Sequence, residues 1–459
     1  MDKIDITQFT DEKNNIQPKK LGDYIIKQEH IAHIKPTKDS TTTDALSTPL
    51  YSYNTKYGVY SELTHTSTAP LRNMIYRYTG DLEVPTGRIN DTIQYINSTA
   101  PVLPFIENNI IAFQNVLYDV EHDRTVKKTP STITTTRMTN TKYNPNQTDS
   151  KELDTFMNNL FSGYDDDAEM MNFIYECIGY CLVNNTFAQK FFILYGKGGN
   201  GKSAFLKLIE RLLTSRNVSS IALIDFDGNR FKLADIVGKY ANIGDDINHK
   251  TILETANLKK VVTGDKLMVE RKGQNPYVCT PHAKLFFSTN SLPNILDTSN
   301  GMTDRLIIIP MTNRIRGTLQ ADSKIIDRIE QNGGLTVLLN RAITGLKRLR
   351  SQGKFTIPPR VIELTRQYVK DNNNVSLFLD DIQAGDVEYD NEPLASISNI
   401  KSKELYPLYS QWATNSGYRA LNKKAFENEL KELGCIIKTQ RLHGTPQKLW
   451  VFTHSQDIM

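Results

Sequence analysis

The sequence predicts an α/β protein, with a mixed α+β region ahead of its centre and a small helix–hairpin module behind it. Three observations carry this. An apolar run, Phe191–Tyr195, passes through a glycine-rich octet into an apolar helical pattern. Short alternating and helical patterns are interleaved between residues 21 and 183. An acidic, irregular stretch at 381–400 then separates a final segment, 401–459, with two helical patterns and two strands.

The chain has 459 residues. At roughly 100–200 residues per domain, it calls for two to four domains. Lys plus Arg is 55 and Asp plus Glu is 51, a formal net charge of +4. That excludes a histone-like polycation and an acidic disordered chain. It leaves nucleic-acid binding open, because the placement of charge matters more than its sum. No apolar run reaches the roughly 18–20 residues of a membrane span, and no apolar h-region follows the start MDKIDITQFT. Four cysteines are no disulfide framework in a chain this long. Cys177 and Cys181 read as core thiols on one helix face. Together these point to the cytoplasm, with no membrane partner.

Residues 1–20 read as a disordered polar tail and 21–183 as an accessory domain. Within it, Pro49–Glu62 reads as a β-hairpin turning at Asn54–Gly58. Helices are expected at 67–80 and 89–98, a strand pair at 109–119, and extended chain at 129–142. From Leu153 to Val183, Phe156, Leu160, Met170, Phe173, Ile174 and Ile178 keep helical spacing. Residues 184–380 read as the nucleotide-binding core with trailing helices, and 381–400 as a linker.

The octet Gly196-Lys197-Gly198-Gly199-Asn200-Gly201-Lys202-Ser203 fits G-x-x-x-x-G-K-[ST] in its strand–loop–helix setting. Glycines let backbone N–H groups turn inward onto phosphates, and the helix N-terminus favours the same charge. Lys202 would reach the β- and γ-phosphates of ATP, and Ser203 would ligate Mg²⁺. Such an enzyme needs an acidic pair on a neighbouring strand. In YANIGDDIN, Asp245 would join the Mg²⁺ shell and Asp246 would orient the attacking water. The strand before them is unusually polar, interrupted by Asn242 and Gly244. A further strand, HAKLFFSTN, ends in Asn290, whose amide could stand beside the γ-phosphate and the water. Arg305 opens the apolar run LIIIP. It could reach a neighbouring subunit's γ-phosphate, or pair with Asp304 or another carboxylate.

In this order the motifs resemble those of superfamily 3 helicases of the AAA+ type, closest to the phage, plasmid and poxvirus-type primase-helicases. The resemblance rests on GKGGNGKS, GDD at 244–246, TGDKLMVERKG at 263–273, AKLFFSTNSLP at 283–293 and TDRL at 303–306. It extends to FQNVLYDV at 113–120 and GLTVLLNRAITGLKRL at 334–349, covering roughly residues 50–380. It implies an AAA+ core and a hexameric ring moving 3′ to 5′ on single-stranded DNA. Asn290 would be its sensor and Arg305 its trans-acting finger. Relatives often carry adjacent arginines where this chain has Asp304-Arg305. The family also implies a hairpin projecting into the ring channel, here Lys266–Cys279, with Arg271 and Lys272 on the DNA backbone. No metal-binding acidic motif precedes Leu50, so no primer synthesis is expected. The implied role is a replication initiator of a bacterial phage or mobile element, with host replication proteins as further partners.

Gly345–Arg350, GLKRLR, reads as a helix packing Leu346 and Leu349, its cations on a solvated face. In 401–459, Lys403–Asn415 reads as one helix. Asn422 caps a second, Lys423–Leu433. Cys435–Lys438 and Lys448–Phe452 read as strands. Helix, helix, hairpin is a winged-helix-like pattern. Lys423, Lys424, Arg441 and Lys448 are its candidate contacts to origin duplex DNA. Two other functions compete: a P-loop small-molecule kinase, and an origin-binding ATPase without processive unwinding.

Overall fold

The computed structural model describes residues 5–452, apart from 47, 65–66, 81, 107–108, 131–135, 228, 245–254, 272–274, 294, 296–299, 319–320, 419 and 443–444. The chain falls into two compact units, one ending at Ile362 and the other beginning at Glu363.

The first unit opens with a 3-10 turn, Ile6–Phe9, capped by the Asp5 carboxylate. Phe9 and Ile16 are buried against Leu21 and Ile25 of α1 (Pro18–Gln28). The expectation of a disordered tail over 1–20 is therefore corrected for the described residues from Asp5 on. Two lone apolar side chains show no periodicity, yet each stabilises by roughly 1.5–3 kcal/mol when fully buried.

Strands β1 (Ala32–Ile34), β2 (Leu50–Asn54), β3 (Val59–Glu62) and β4 (Val102–Leu103) form a sheet in the order β3-β2-β1-β4. β2 and β3 make the expected hairpin, Tyr53 opposite Tyr60. Helix α2 (Thr42–Leu46) lies between β1 and β2 in sequence. Helices α3 (Ala69–Thr79) and α4 (Thr86–Thr99) bury Leu71, Ile75, Ile89 and Ile96 in the core that holds α1. A three-stranded sheet follows: β5 (Ile110–Ala112), β6 (Leu117–Asp119) and β7 (Arg124–Val126). The last of these was not read from sequence.

Helix α5 (Lys151–Phe161) starts where Ser150 Oγ accepts from Leu153 N at 3.3 Å, a side-chain cap on an otherwise orphan donor. Next comes α6 (Asp167–Cys181), carrying Cys177 and Cys181. The chain's four cysteines are free and buried.

The centre is a five-stranded sheet: β8 (Phe191–Tyr195), β9 (Val218–Ser219), β10 (Ala241–Gly244), β13 (Lys284–Thr289) and β14 (Leu306–Pro310). Between β10 and β13 in sequence lies the ribbon β11 (Leu267–Val269) and β12 (Tyr277–Cys279). The sheet order is β14-β8-β13-β10-β9, and every pairing is parallel. Parallel strands are covered on both faces, so they read as continuous apolar runs; Phe191, Phe192, Ile193 and Leu194 are all fully buried. The polar strand β10 has a structural reason. Asn242 is fully buried, and its Oδ1 accepts from Ser219 Oγ at 2.9 Å and Ile221 N at 2.8 Å, while its Nδ2 donates to Ile221 O at 2.9 Å. One amide thus extends the ladder past the two-residue edge strand β9.

Helices α7 (Lys202–Leu213), α8 (Arg230–Leu233), α9 (Ala256–Thr263), α10 (Asn300–Thr303), α11 (Ile325–Gln331) and α12 (Gly334–Gln352) complete the core. α12 meets α6 through backbone: a Cβ on Gly345 would stand 2.6 Å from the Tyr175 carbonyl carbon. Leu346 and Leu349 are buried as expected. The basic face beside them is not merely solvated. Lys347 pairs with Asp123 at 2.8 Å, and Arg348 with the fully buried Glu176 at 2.6 Å. Glu176 also accepts from Thr356 N at 2.7 Å.

Helix α13 (Pro359–Asn372) runs past residue 362. The second unit contains α14 (Asn374–Ala384), a two-residue ribbon of β15 (Glu388–Tyr389) and β16 (Glu392–Pro393), α15 (Ser402–Asn415), α16 (Lys423–Glu432), and a ribbon of β17 (Cys435–Leu442) and β18 (Thr445–Phe452). Its core stacks Tyr409 on Phe426, centroids 4.4 Å apart. The linker expected at 381–400 is corrected: Val387, Leu394, Ile397 and Ile400 are buried in this core. Their irregular spacing hides them from a periodicity reading. Lys401 bridges to Leu449, and β17 and β18 are eight residues each, longer than expected.

Candidate nucleotide site and candidate nucleic-acid surfaces

In open α/β sheets, ligands sit beyond the carboxyl ends of the strands. Here that edge holds the octet. It leaves β8 at Tyr195 and enters α7 at Lys202. Gly196 and Gly201 are required by space: a Cβ on the first would stand 2.1 Å from Met311 O, and on the second 2.3 Å from Leu160 Cδ2. Gly201, the helix N-cap, also has φ +80°. The Gly199 carbonyl accepts from Ile315 N at 2.9 Å and Arg316 N at 3.0 Å, so the segment after β14 braces the loop. Among the described residues, the N–H groups of Lys197, Gly198, Gly199 and Gly201 have no protein acceptor in hydrogen-bonding geometry. A row of free N–H groups at a helix N-terminus suits phosphate oxygens.

Lys202 is buried, and its ammonium donates to Gly196 O at 2.5 Å and to Asn290 Oδ1 at 2.8 Å. The second bond follows from the strand order. β13 lies directly beside β8, with Thr289 opposite Tyr195, so the residue after β13 meets the loop. Ser203 is exposed on the first turn of α7, Asn200 is buried, and Lys197 is exposed. Asp245 and Asp246 follow β10 in sequence and lie outside the described residues. Among those described, no cluster of three or more His, Cys, Asp or Glu could hold a metal ion.

Arg305 is at the other end of the sheet. Leu306 opposes Phe191 and Pro310 opposes Tyr195, so about five strand steps of ~3.3 Å separate Arg305 from the level of Tyr195, where the loop of its own chain begins. Its Nη1 donates to Gly301 O.

The hairpin expected at Lys266–Cys279 exists, with Met268 opposite Val278. Its expected role for Arg271 is corrected. Arg271 is buried, and its Nη1 donates to Glu62 Oε1 at 2.6 Å, because a buried guanidinium needs a carboxylate partner. The hairpin docks on the first sheet's region, since Lys266 also pairs with Asp39 at 2.9 Å. Lys272 lies outside the described residues.

In the second unit, Lys423, Lys424, Arg441 and Lys448 are all exposed. Lys423 stands 4.0 Å from Glu427. Lys448 opposes Thr439 in the ribbon, so it shares a face with Arg441 two residues on.

Sequence reasoning missed the opposite edge of the central sheet. Lys284 is buried under the Tyr180 ring, donating to Val183 O at 2.8 Å and His282 O at 2.6 Å. Burial holds its ammonium well below the usual lysine range. His282 is buried beside it. In sequence these look like an ordinary strand start.

Two family models match the chain. One is a family of unknown function, DUF5906, over residues 194–305, and the other is described as poxvirus D5 protein-like, over residues 370–439. A protein of Acanthamoeba polyphaga mimivirus described as "Putative helicase" is 26% identical over 232 residues, 48% of this chain. The match spans 23% of that relative's length. Among solved structures, apo forms of the NrS-1 C-terminal region superpose with TM-scores of 0.50 and 0.51 at 13% identity. The match covers 95% of this chain and 99% of theirs. At that identity the likeness is one of fold. No helix among the described residues is long and apolar enough to cross a membrane.

Proposed function

We propose that this chain is a nucleotide-hydrolysing motor of the superfamily 3, AAA+ helicase type, acting in DNA replication as a ring-shaped, origin-opening initiator. The observation that carries this is the Lys202–Asn290 bond at 2.8 Å. It ties the phosphate-loop lysine to a polar strand end on the strand between β8 and β10. The viral relative described as a helicase and the poxvirus D5-like match support the same reading.

On this reading the free loop N–H groups grip the phosphates of ATP, and Lys202 exchanges a protein acceptor for the β/γ-phosphate. Ser203 and Asp245 hold Mg²⁺, which when bound neutralises charge developing on the phosphate oxygens. Asp246 and Asn290 orient the water, and Arg305 serves a neighbouring copy in a hexamer. Single-stranded DNA is followed 3′ to 5′. The second unit's helix–helix–ribbon order, with Lys401 bridging to β18, supports a winged-helix-like reader of origin duplex through Lys423, Lys424, Arg441 and Lys448. A second reading, an origin-binding ATPase without processive unwinding, is favoured by one fact: Arg271 is paired with Glu62 and withdrawn from the hairpin surface.

The test is a forked-duplex unwinding assay with tails of both polarities, alongside ATPase activity with and without single-stranded DNA. Strand separation and DNA-stimulated hydrolysis, both lost in Lys202→Ala, are expected. Hydrolysis that DNA does not stimulate, from a monomer, would sink the motor.

A further inference from the structure

A cleft lies between the β1–β4 sheet and the amino-terminal edge of the central sheet. Its inner cavity, about 70 Å³, is lined by Ile34, Tyr51, Phe105, Tyr277, Cys279 and His282. Lys35 and Lys239 stand in the same lining. An adjoining cavity of about 270 Å³ shares Tyr51 and Lys239 and adds Arg216.

The inner wall is chemically unfinished. His282 is 8% exposed, and neither of its ring nitrogens has a hydrogen-bond partner among the described residues. The buried Tyr277 hydroxyl is equally unpartnered. Buried polar atoms in folded proteins are almost always paired, and an exception points to a ligand or an ordered water. Burial, with the cations Lys284, Arg137 and Lys38 nearby, pushes His282 down to about 3. The ring is therefore neutral, one nitrogen donating and the other accepting.

We propose that this cleft binds one nucleotide unit of a nucleic-acid strand, its base edge on His282 and Tyr277 and its phosphate on Lys35 and Lys239. A base presents donors and acceptors side by side along one edge. Tyr51 and Phe105, the latter 5.5 Å from the His282 ring, supply flat apolar walls for stacking. Lys239 is half-buried and held by Arg216 O at 2.5 Å, which leaves ammonium protons for a phosphate. An inorganic anion would satisfy the lysines but not a neutral imidazole. A neutral sugar could satisfy the imidazole but would leave the charge of the two lysines uncompensated. The proposal rests on the proposed function only for the source of the nucleotide, a strand rather than a free molecule.

The test measures binding of a labelled oligothymidylate by anisotropy and of thymidine 5′-monophosphate by calorimetry, using the full chain. Wild type, Tyr277→Phe and His282→Leu are compared, with thermal melting as the fold control. Each variant should weaken both ligands by at least about fivefold. Tyr277→Phe should melt no lower than wild type, because it deletes only an unpaired hydroxyl. Variants that bind both ligands like wild type overturn the site, whatever the DNA-stimulated ATPase does. Wild type that binds the monophosphate but no strand keeps the site and overturns the motor. Wild type that binds neither overturns the site.

Discussion

The two ends of the central sheet solve opposite problems with the same strands. At the carboxyl edge, Lys202 meets Asn290 across neighbouring strands, and the N–H groups of Lys197, Gly198, Gly199 and Gly201 have no protein acceptor among the described residues. At the amino edge, Lys284 is sealed between two carbonyls and a ring, and among the described residues neither ring nitrogen of His282 has a hydrogen-bond partner. The first end keeps its charge movable. The second immobilises or neutralises it. A parallel sheet produces this asymmetry, because all its strands begin at one edge and end at the other.

The largest expected effect tests the carboxyl edge. Lys202→Ala should lower ATP hydrolysis by about a thousandfold, roughly 4 kcal/mol, with melting little changed. A variant that hydrolyses normally would remove the distinction between the two ends.

The next effect belongs to the amino edge and to pH. His282 is a base whose affinity for protons falls on folding, to about 3. Between there and the usual histidine value of about 6.5, the unfolded chain binds the extra proton, so stability falls as pH drops. Between pH 7 and pH 4 the loss should be roughly 3 kcal/mol, read from urea midpoints. His282→Gln should flatten that slope. Lys284 has the same sign at higher pH: from its lowered folded value up to the ordinary lysine value of about 10.5, stability should rise with pH, and it should level off above that.

Asn242→Ala should cost about 2 kcal/mol, since it leaves buried Ile221 groups unpaired. Chemical denaturation measures it, and a neutral result would mean that β10 needs no side-chain brace. The smallest effect is at Gly198. Its Cβ would meet nothing within 4 Å and its φ is not positive, so Gly198→Ala should shift stability by under about 0.5 kcal/mol.

The carboxyl edge was legible in the sequence because its chemistry demands particular residues at fixed spacing. Gly196, Gly201, Lys202 and Ser203 could be named before any fold was known, and so could Asn290. The β2–β3 hairpin, α5, α6 and the Asn422-capped α16 were legible for a similar reason, since period and capping are local. The amino edge was not. His282 and Lys284 acquire meaning only from Val183, Tyr180 and Phe105, distant in sequence. Arg271 misled for the same reason, because its partner Glu62 lies 209 positions away. Phe9, Ile16 and the residues of 387–400 show that sparse apolar side chains can build a core without a pattern.

The distance between Arg305 and the phosphate loop of its own chain has an arithmetic consequence. On the proposed reading, a copy alone completes no site. An open arc of n copies completes n − 1 sites, and a closed ring completes n. Activity per chain would then report how many copies have joined and whether the circle has shut. Dilution would silence the motor before it unfolds a single strand of it.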